Sequence, residues 1–565
     1  MTNAQLAAAF RDLAKLMEYH GENVFKTRSY TKVADVIKKA NVDFAQLSRE
    51  ELLATEGVGE AIADKISELG STGELSLYRR YVGDTPDVVL ELLKVKGLGV
   101  KKVRQLVTEL GVSSVGELKQ AVEENRVVAL KGFSTASQTK LGAQLDFFEA
   151  ARGQLRYADA LTVAGPLREG FRQNTSRAEY TGALRRQCNT VAELDFLCVA
   201  DDALADALTA DGYGATPLDE APASPARRLA EIGVRCFVNA AEPPVRRVFT
   251  TPIEAWGTAW VLTTCTPEYL AANSSLLDAA APLAEEATVF AKAQLPYCPA
   301  PQREAAAPAP PTPADEVIRS ADIRGVVHAH TTASDGSATL EVLAEAVQRA
   351  GYSYLTVTDH SKAAGYANGL SIERLRQQGA EIAAYNVAHP DFRVFAGTEC
   401  DILRDGRLDY PDDVLAELDI VIASVHSVLT MAPADATERL LTAIRNPYTT
   451  MLGHPTGRLL LSRAGYAPDM TAVLEACAEH EVVVEINASS MRLDLDWTYV
   501  PLAVELGVKL SINPDAHSVK HLDNIRYGVY AAQKAGLRPA DCLNCLDADD
   551  FGDFLAERKR RRGIA

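Results

Sequence analysis

The C-terminal part of the chain is punctuated by seven short runs of β-branched and apolar residues: "GVVHAH", "YLTVTDH", "RVFAGTE", "IVIASVH", "TMLGH", "VVVEIN" and "KLSINPDAH". Between most of them lie segments such as "TLEVLAEAVQRAG" and "MTAVLEACAEH", whose apolar residues recur as on one face of a helix. Alternating strand and helix predicts a parallel sheet, and seven such units suit a closed or nearly closed β/α barrel. Ahead of them, "CPAPQREAAAPAPPTPADE" is dense in Pro and Ala and predicts an extended linker. The chain is mostly helical in pattern up to about residue 150 and mixed α/β from there to the linker. The expected division is 1–80 and 81–150 (helical), 151–297 (α/β), 298–316 (linker) and 317–565 (barrel), a multidomain α and α/β protein.

Composition narrows the class. An apolar share of 47% and a charged share of 24% are those of a globular protein. No apolar run approaches the roughly 20 residues needed to cross a bilayer, and no membrane partner is expected. Nine scattered cysteines point to a reducing compartment, so the expected location is the cytoplasm. A net charge of −18 excludes a protein coated in basic surface. Nucleic acid would have to be held by local patches or backbone amides.

Six of the seven runs end in His, Glu, or Asp with His: His328 and His330, His360, Glu399, His426, His454, and Asp515 with His517. His328 and His330 are two apart on a strand and share a face. In a β/α barrel the carboxyl ends of the strands meet at one mouth, where Asp335, in the loop after the first strand, can join them. These positions use six of the ten histidines. His20, His389 and His480 fall outside the pattern and read as structural or surface residues; His521 stays unassigned. Nine donors exceed one tetrahedral zinc. Two or three divalent ions sharing bridging carboxylates fit better, with zinc, manganese or iron all allowed by mixed N and O donors. Clustered metals suit phosphoester hydrolysis. Asp359, beside His360, is the expected partner that orients that ring.

His328-Ala-His330, Ser334-Asp335-Gly336, Thr358-Asp359-His360, Gly397-Thr398-Glu399, the lone His426, Gly453-His454-Pro455 and Asp515-Ala-His517 resemble the motif series of PHP (polymerase and histidinol phosphatase) domains. The resemblance covers residues 322 to about 560 and fills all nine of that family's ligand positions. It implies a trinuclear metal phosphoesterase in which His328, His330, Glu399, His426, Asp515 and His517 are catalytic.

Nearer the N-terminus, "ATEGVGEAIADKISELG" and "KVKGLGVKKVRQLVTELG" are similar to helix-hairpin-helix motifs, and "ALKGFSTASQTKLGAQL" is a weaker echo with Ser134 in place of the second Gly. Gly57 and Gly59, and Gly97 and Gly99, would let the backbone turn and present N–H groups to a DNA phosphate. Lys96, Lys101, Lys102 and Arg104 flank the second turn. "TGALRRQCNTVAELDFLCVAD" resembles the nucleotidyltransferase palm of family X DNA polymerases, with Gly182, Arg185, Arg186, Glu193 and Asp195 in register. The whole order resembles a bacterial member of that family across nearly the entire chain. The palm departs from the pattern at Ala183 (Ser in the family), at Glu193 (Asp), at "LTTC" 262–265 (a sugar-binding stretch), and at "GVRCFVNA", where Cys236 and Phe237 stand and a third carboxylate is expected. Glu231 and Glu242 are the nearest substitutes. Lys65 matches the lyase lysine of some eukaryotic members, a Schiff-base former at abasic sugars, against the simpler reading of a solvent-facing lysine.

These residues together predict a monomeric DNA repair phosphoesterase acting at gaps, 3′ ends and abasic sites, with a degenerate palm. A working gap-filling polymerase and a DNA-binding scaffold with an inert barrel are the alternatives.

Overall fold

The computed structural model describes residues 1–565 apart from 41, 219–223, 242, 280, 305–309 and 565, and the side chains of residues 4 and 39. Met1–Arg152 form one compact unit and Gly153–Ala565 a second. Glu242 lies outside the described residues.

The first unit is built of helices around two cores. Thr2 and Gln5 form a capping box that starts the helix Asn3–Tyr19. Leu6, Phe10, Leu13 and Met17 recur along one face of that helix and are buried with Val33 and Ile37 of the helix Val24–Lys39. A separate cluster gathers Val89, Leu92, Val103, Leu106, Leu118 and Leu145.

The second unit holds two sheets of functional interest. In the palm region the five strands lie in the order Ala178–Tyr180, Glu193–Val199, Val245–Thr251, Arg235–Asn239, Gly214–Thr216. Only Glu193–Val199 and Val245–Thr251 run parallel to each other. The barrel has seven parallel strands in chain order, Gly325–Ala329, Tyr354–Val357, Arg393–Asp401, Ile420–Ser424, Met451–Leu452, Val483–Asn487 and Leu510–Asn513. A bridge between Ala329 and Ala516 brings the last strand back to the first. The side chain of Asn544 seals that seam: it donates to Gly325 O (3.3 Å) and Ile512 O (2.6 Å) and accepts from Ile512 N (3.1 Å). Six of the strands are buried along their whole length, as helices on the outside and side chains on the inside require. At the amino end Phe551, from the helix Ala548–Arg561, stacks on Tyr354 at 4.5 Å and plugs the barrel.

Of the extended linker expected over 298–316, residues 305–309 lie outside the described residues, and the described parts on either side are not free. Arg303 is fully buried, donating to Glu286 (2.7 Å) and Cys298 O (3.0 Å). Gln302 and Thr312 exchange two hydrogen bonds (3.0 and 2.8 Å), and the Thr312 hydroxyl donates to Gly536 O (2.9 Å). Glu304 lies between Arg186 of the palm (2.9 Å) and the buried Lys534 of the barrel (2.7 Å). Leu493 and Tyr527 of the barrel belong to the same apolar cluster as Tyr157, Phe171 and Phe196 of the palm. Prolines gave the segment its extended look, but its charged residues find partners on both sides.

Burial alone would raise the Glu286 carboxyl; Arg303 and Arg185 outweigh it and hold it at about 2, against an ordinary 4.5. A depressed carboxylate stabilises the folded state above its unfolded pKa and loses that contribution as pH falls through the folded value, here on the order of 3 kcal/mol. Glu286→Gln should therefore lower the urea midpoint at pH 7. The gap to wild type should narrow as pH drops from 4.5 towards 2. A gap that does not change with pH would show that the arginines gain nothing from the charge.

Candidate metal centre

The strand ends converge as the barrel requires. Glu399 is fully buried, and its carboxylate oxygens lie 2.9 Å from His454 Nε2, 3.0 Å from His360 Nδ1, 3.1 Å from His426 Nε2, 3.3 Å from His328 Nε2 and 3.7 Å from His330 Nε2. Asp515 adds an oxygen 3.3 Å from His330 and 3.6 Å from His328. Asp335 faces His517 (3.4 Å) and His360 (3.6 Å). Donor atoms fall into four overlapping groups, each within 4.8 Å: His330, Asp335, His360 and His517; His328, His454 and Asp515; His328, His330 and Glu399; His360, Glu399 and His426. All nine sequence-predicted donors are in these groups. His328, His454 and Asp515 have φ of 65°, 22° and 51°, a left-handed backbone that non-glycine residues rarely adopt. Such outliers cluster where a site over-determines the backbone.

His328 Nε2, both ring nitrogens of His330, His360 Nδ1 and His454 Nδ1 are buried without a well-formed hydrogen bond. A buried nitrogen without a partner costs about 1–3 kcal/mol, and rings carrying five of them, gathered around Glu399, Asp335 and Asp515, describe a cage for cations. The donor chemistry, imidazole with carboxylate, fits divalent metals. Burial disfavours charge throughout the cage. The imidazoles nonetheless hold Glu399 and Asp515 well below the carboxylate range, while Glu399 and Asp401 raise His426 to about 10.

Residues behind the donors were not anticipated. Glu485 accepts from His328 Nδ1 (2.5 Å), from His454 N (2.7 Å) and from Asn487 (3.1 Å) and Asn513 (2.9 Å). Asp401 accepts from His426 Nδ1 (2.7 Å). Their signal was present: Glu485 and Asn487, like Glu399 and Asp401, are polar residues two apart on a strand and so face inwards together. Asp359 does not orient His360. Its carboxylate accepts from Thr331 N (2.8 Å), Thr331 Oγ1 (2.6 Å) and Gln378 (2.5 Å), fixing the loop that carries Asp335. His521 Nδ1 accepts from the His517 amide (3.2 Å).

In the helical unit, Gly57 and Gly97 both turn at φ 87°, whereas Gly59 and Gly99 (−89° and −78°) are N-caps with no side-chain cap. A Cβ at any of the four would meet open space, so neighbouring packing does not require glycine there. The third copy closes its own helix, because Ser134 accepts from Ser137 N. The two open hairpins differ in charge. Glu56 and Glu60 flank the first, whereas exposed Lys96 and Lys101 flank the second. Lys102 sits over the Phe133 ring at 5.1 Å. Arg104 points elsewhere: its guanidinium donates to Glu18 O (2.7 Å) and Tyr19 O and caps the first helix. Lys65 donates to Ala61 O one turn back (3.0 Å), as a helix-surface lysine does.

The palm carboxylates are already neutralised. Asp195 and Arg247 are paired in register on adjacent parallel strands. The guanidinium of Arg247 contacts Asp195 through two bonds (2.7 and 2.9 Å) and also pairs with Glu193. A third carboxylate facing Glu193 and Asp195 would have to come from the strand Val245–Thr251. Cys236 and Phe237, where one was sought, lie one strand further out. Gly182 is needed, since a Cβ there would lie 2.1 Å from Asp195 Oδ2. Arg185 is spent on Glu286 (2.7 and 2.6 Å) and stacks over Trp260, and Arg186 on Glu304. Glu231 pairs with Arg227 and Arg228 on an outer helix. This arrangement does not fit a two-metal centre: a fixed cation stands against both carboxylates.

Barrel and cage define the C-terminal part as a PHP domain. Residues 1–75 match the model of a "Helix-hairpin-helix domain" and 89–137 that of a "SAM-like Helix-hairpin-helix tandem". The chain is 32% identical, over 96% of its length and 97% of the relative's, to the "DNA polymerase/3'-5' exonuclease PolX" of Bacillus subtilis (strain 168). It is also 30% identical to a protein named a probable phosphatase from Thermoanaerobacter sp. (strain X514), over 38% of this chain and 93% of that one. Another protein so named, from Photobacterium profundum, is 29% identical over 41% and 94%. The chain belongs to the bacterial family X DNA polymerases that carry a C-terminal PHP domain.

Glu485 should matter to the cage without being a donor in any of the four groups. Glu485→Gln keeps the size but loses the charge that holds His328, and removing such a partner typically weakens metal binding about 10- to 100-fold. Metal content after dialysis against a graded chelator, read by mass spectrometry, should show that loss; full retention would make Glu485 a packing residue only.

Proposed function

We propose that this chain is a DNA repair phosphoesterase whose barrel hydrolyses phosphoester bonds at 3′ ends, as 3′–5′ exonuclease, 3′-phosphatase or abasic-site endonuclease. In this reading its palm transfers no nucleotides. One contrast carries the reading: the barrel presents buried, unpartnered imidazole nitrogens, whereas the palm carboxylates are closed by Arg247. The names of the relatives, a DNA polymerase/3'-5' exonuclease and two probable phosphatases, support phosphoester chemistry.

His328, His330, Asp335, His360, Glu399, His426, His454, Asp515 and His517 would hold two or three divalent ions, manganese, zinc or iron. When bound, such ions lower the pKa of water and stabilise charge on phosphate oxygens. The residues themselves provide the rest. Glu485 and Asp401 hold the His328 and His426 rings by their Nδ1 atoms and leave Nε2 facing the cage. Asp359 fixes the loop of Asp335. The second hairpin, with Gly97, Gly99, Lys96 and Lys101, presents amides and ammonium groups to a DNA phosphate. Acidic flanks make the first hairpin the poorer phosphate site. An inert scaffold would gain nothing from five buried nitrogens left unpaired.

The decisive experiment uses end-labelled gapped DNA with Mn²⁺, with and without nucleotides. Primer shortening is expected, and His330→Ala should slow it by orders of magnitude. With the barrel so disabled, the primer should stay unextended. Robust extension that vanishes in Asp195→Ala would instead establish a working gap-filling polymerase. Near wild-type shortening by His330→Ala would place the hydrolysis elsewhere.

The hairpin is tested separately. Gly97 needs positive φ, so Gly97→Val should strain the turn and block the backbone's approach. DNA affinity should fall roughly tenfold, about 1.4 kcal/mol, while hydrolysis of a small chromogenic diester should hold. Unchanged DNA affinity in the folded variant would remove the hairpin from the reading.

A further inference from the structure

The barrel mouth carries three side chains that the metal cage does not use. Tyr366 is 73% exposed, though its chain neighbours Ala364 and Ala367 are buried. Its ring centroid lies 6.2 Å from that of His360 and 6.3 Å from that of His426, two cage donors. The loop beneath it is firmly built. Asn368 donates to Ala333 O (3.0 Å) and Ser334 O (3.2 Å), and a Cβ at Gly369 would lie 1.9 Å from Ser361 O. A large ring held out to solvent on a fixed loop beside the cage is placed to meet whatever binds there.

Two guanidiniums share this rim. Arg492 follows the sixth barrel strand, with Nε 3.7 Å from Asp515 Oδ2. Arg463 follows the fifth; its guanidinium donates to Gly457 O (2.9 and 2.6 Å) and has no carboxylate within ion-pair reach among the described residues. Burial, and then the like charge of Arg492, depress its pKa. The two loops are bolted together: Leu460 N donates to Met491 O (2.7 Å), and Arg458 donates to Arg492 O (3.0 Å) and to Leu493 O. Two guanidiniums carried on loops tied to each other offer an anion a place, and guanidinium is the group best shaped for phosphate.

We infer that Tyr366, Arg463 and Arg492 form a nucleotide-reading rim: the ring stacks on the base of the terminal nucleotide while the guanidiniums take its phosphate. An aromatic face accepts any base, so the rim would prefer nucleotides over other phosphoesters without choosing among sequences. A bare phosphate would use only the guanidiniums. The inference deepens the nuclease reading and rests on it for the role of the bound nucleotide.

The test uses the full-length, Mn²⁺-loaded protein and two substrates with one leaving group, thymidine 5′-(p-nitrophenyl phosphate) and methyl p-nitrophenyl phosphate. In Tyr366→Ala the ratio of kcat/KM between nucleoside and methyl ester should fall about tenfold or more; Tyr366→Phe, which keeps the ring, should preserve it. Equilibrium dialysis with thymidine 5′-monophosphate reads binding directly. Wild type should bind it, Tyr366→Ala and Arg492→Ala should bind it at least several-fold more weakly, and Tyr366→Phe should match wild type. Equal binding by Tyr366→Ala, or none by wild type, overturns the rim whatever the rates. Weakened binding in Tyr366→Ala, in a protein that hydrolyses neither ester, would leave the rim standing and sink the nuclease reading.

Discussion

The second unit is organised around one buried carboxylate. Glu399 has five imidazoles within 3.7 Å and almost no exposure to water. Placing so many ionisable groups in a low-dielectric interior is costly unless each compensates another. The barrel makes this possible by geometry: each parallel strand delivers its last residue to the same mouth. Apolar strands, the Asn544 seam and the aromatic plug supply the rigidity that keeps like rings, such as His330 and His360 with centroids 4.4 Å apart, from moving away from each other.

The palm meets a similar problem with a different answer. Glu193 and Asp195 also stand side by side on one face of a strand, but a guanidinium from the neighbouring strand neutralises them within the chain. A barrel cage of inward-facing imidazoles and carboxylates and a palm pair closed by an arginine are different electrostatic arrangements. The donors of the one suit a divalent cation, whereas the other has its cation built into the chain. The two arginines after Gly182 have likewise turned inwards, to Glu286 and Glu304.

Eight cage donors were legible because each stands beside an apolar strand pattern, and strand ends in a barrel coincide whatever the details of the loops; Asp335, in a loop, was legible only from its place in the Ser-Asp-Gly motif. Hairpin glycines were legible from their spacing, although only Gly57 and Gly97 need the positive φ. Arg247 was not legible. Its meaning depends on which strands are neighbours, and local sequence does not say that Val245–Thr251 lies beside Glu193–Val199 while Arg235–Asn239 lies one further out. Arg104 misled for a related reason: flanking position in sequence says nothing about the rotamer that takes it to Tyr19. The Pro/Ala segment was read from composition, and Arg303 and Glu304, the residues that anchor it, are two charges in a stretch otherwise typical of spacers.

The shared core between palm and barrel has a consequence for modularity. Leu493 and Tyr527 insert into the palm cluster, Leu460 packs at its edge, and Asn189 meets Asp496 at 3.2 Å. Leu460, Leu493 and Asp496 belong to the same loops that carry Arg463 and Arg492. The palm is thereby a buttress, and the shape of the barrel entrance is partly written in palm residues. Barrels exchanged between relatives would carry their cages intact but arrive with entrance loops cut for a different support. Variation that reshapes the barrel entrance can therefore accumulate in a sheet outside the barrel.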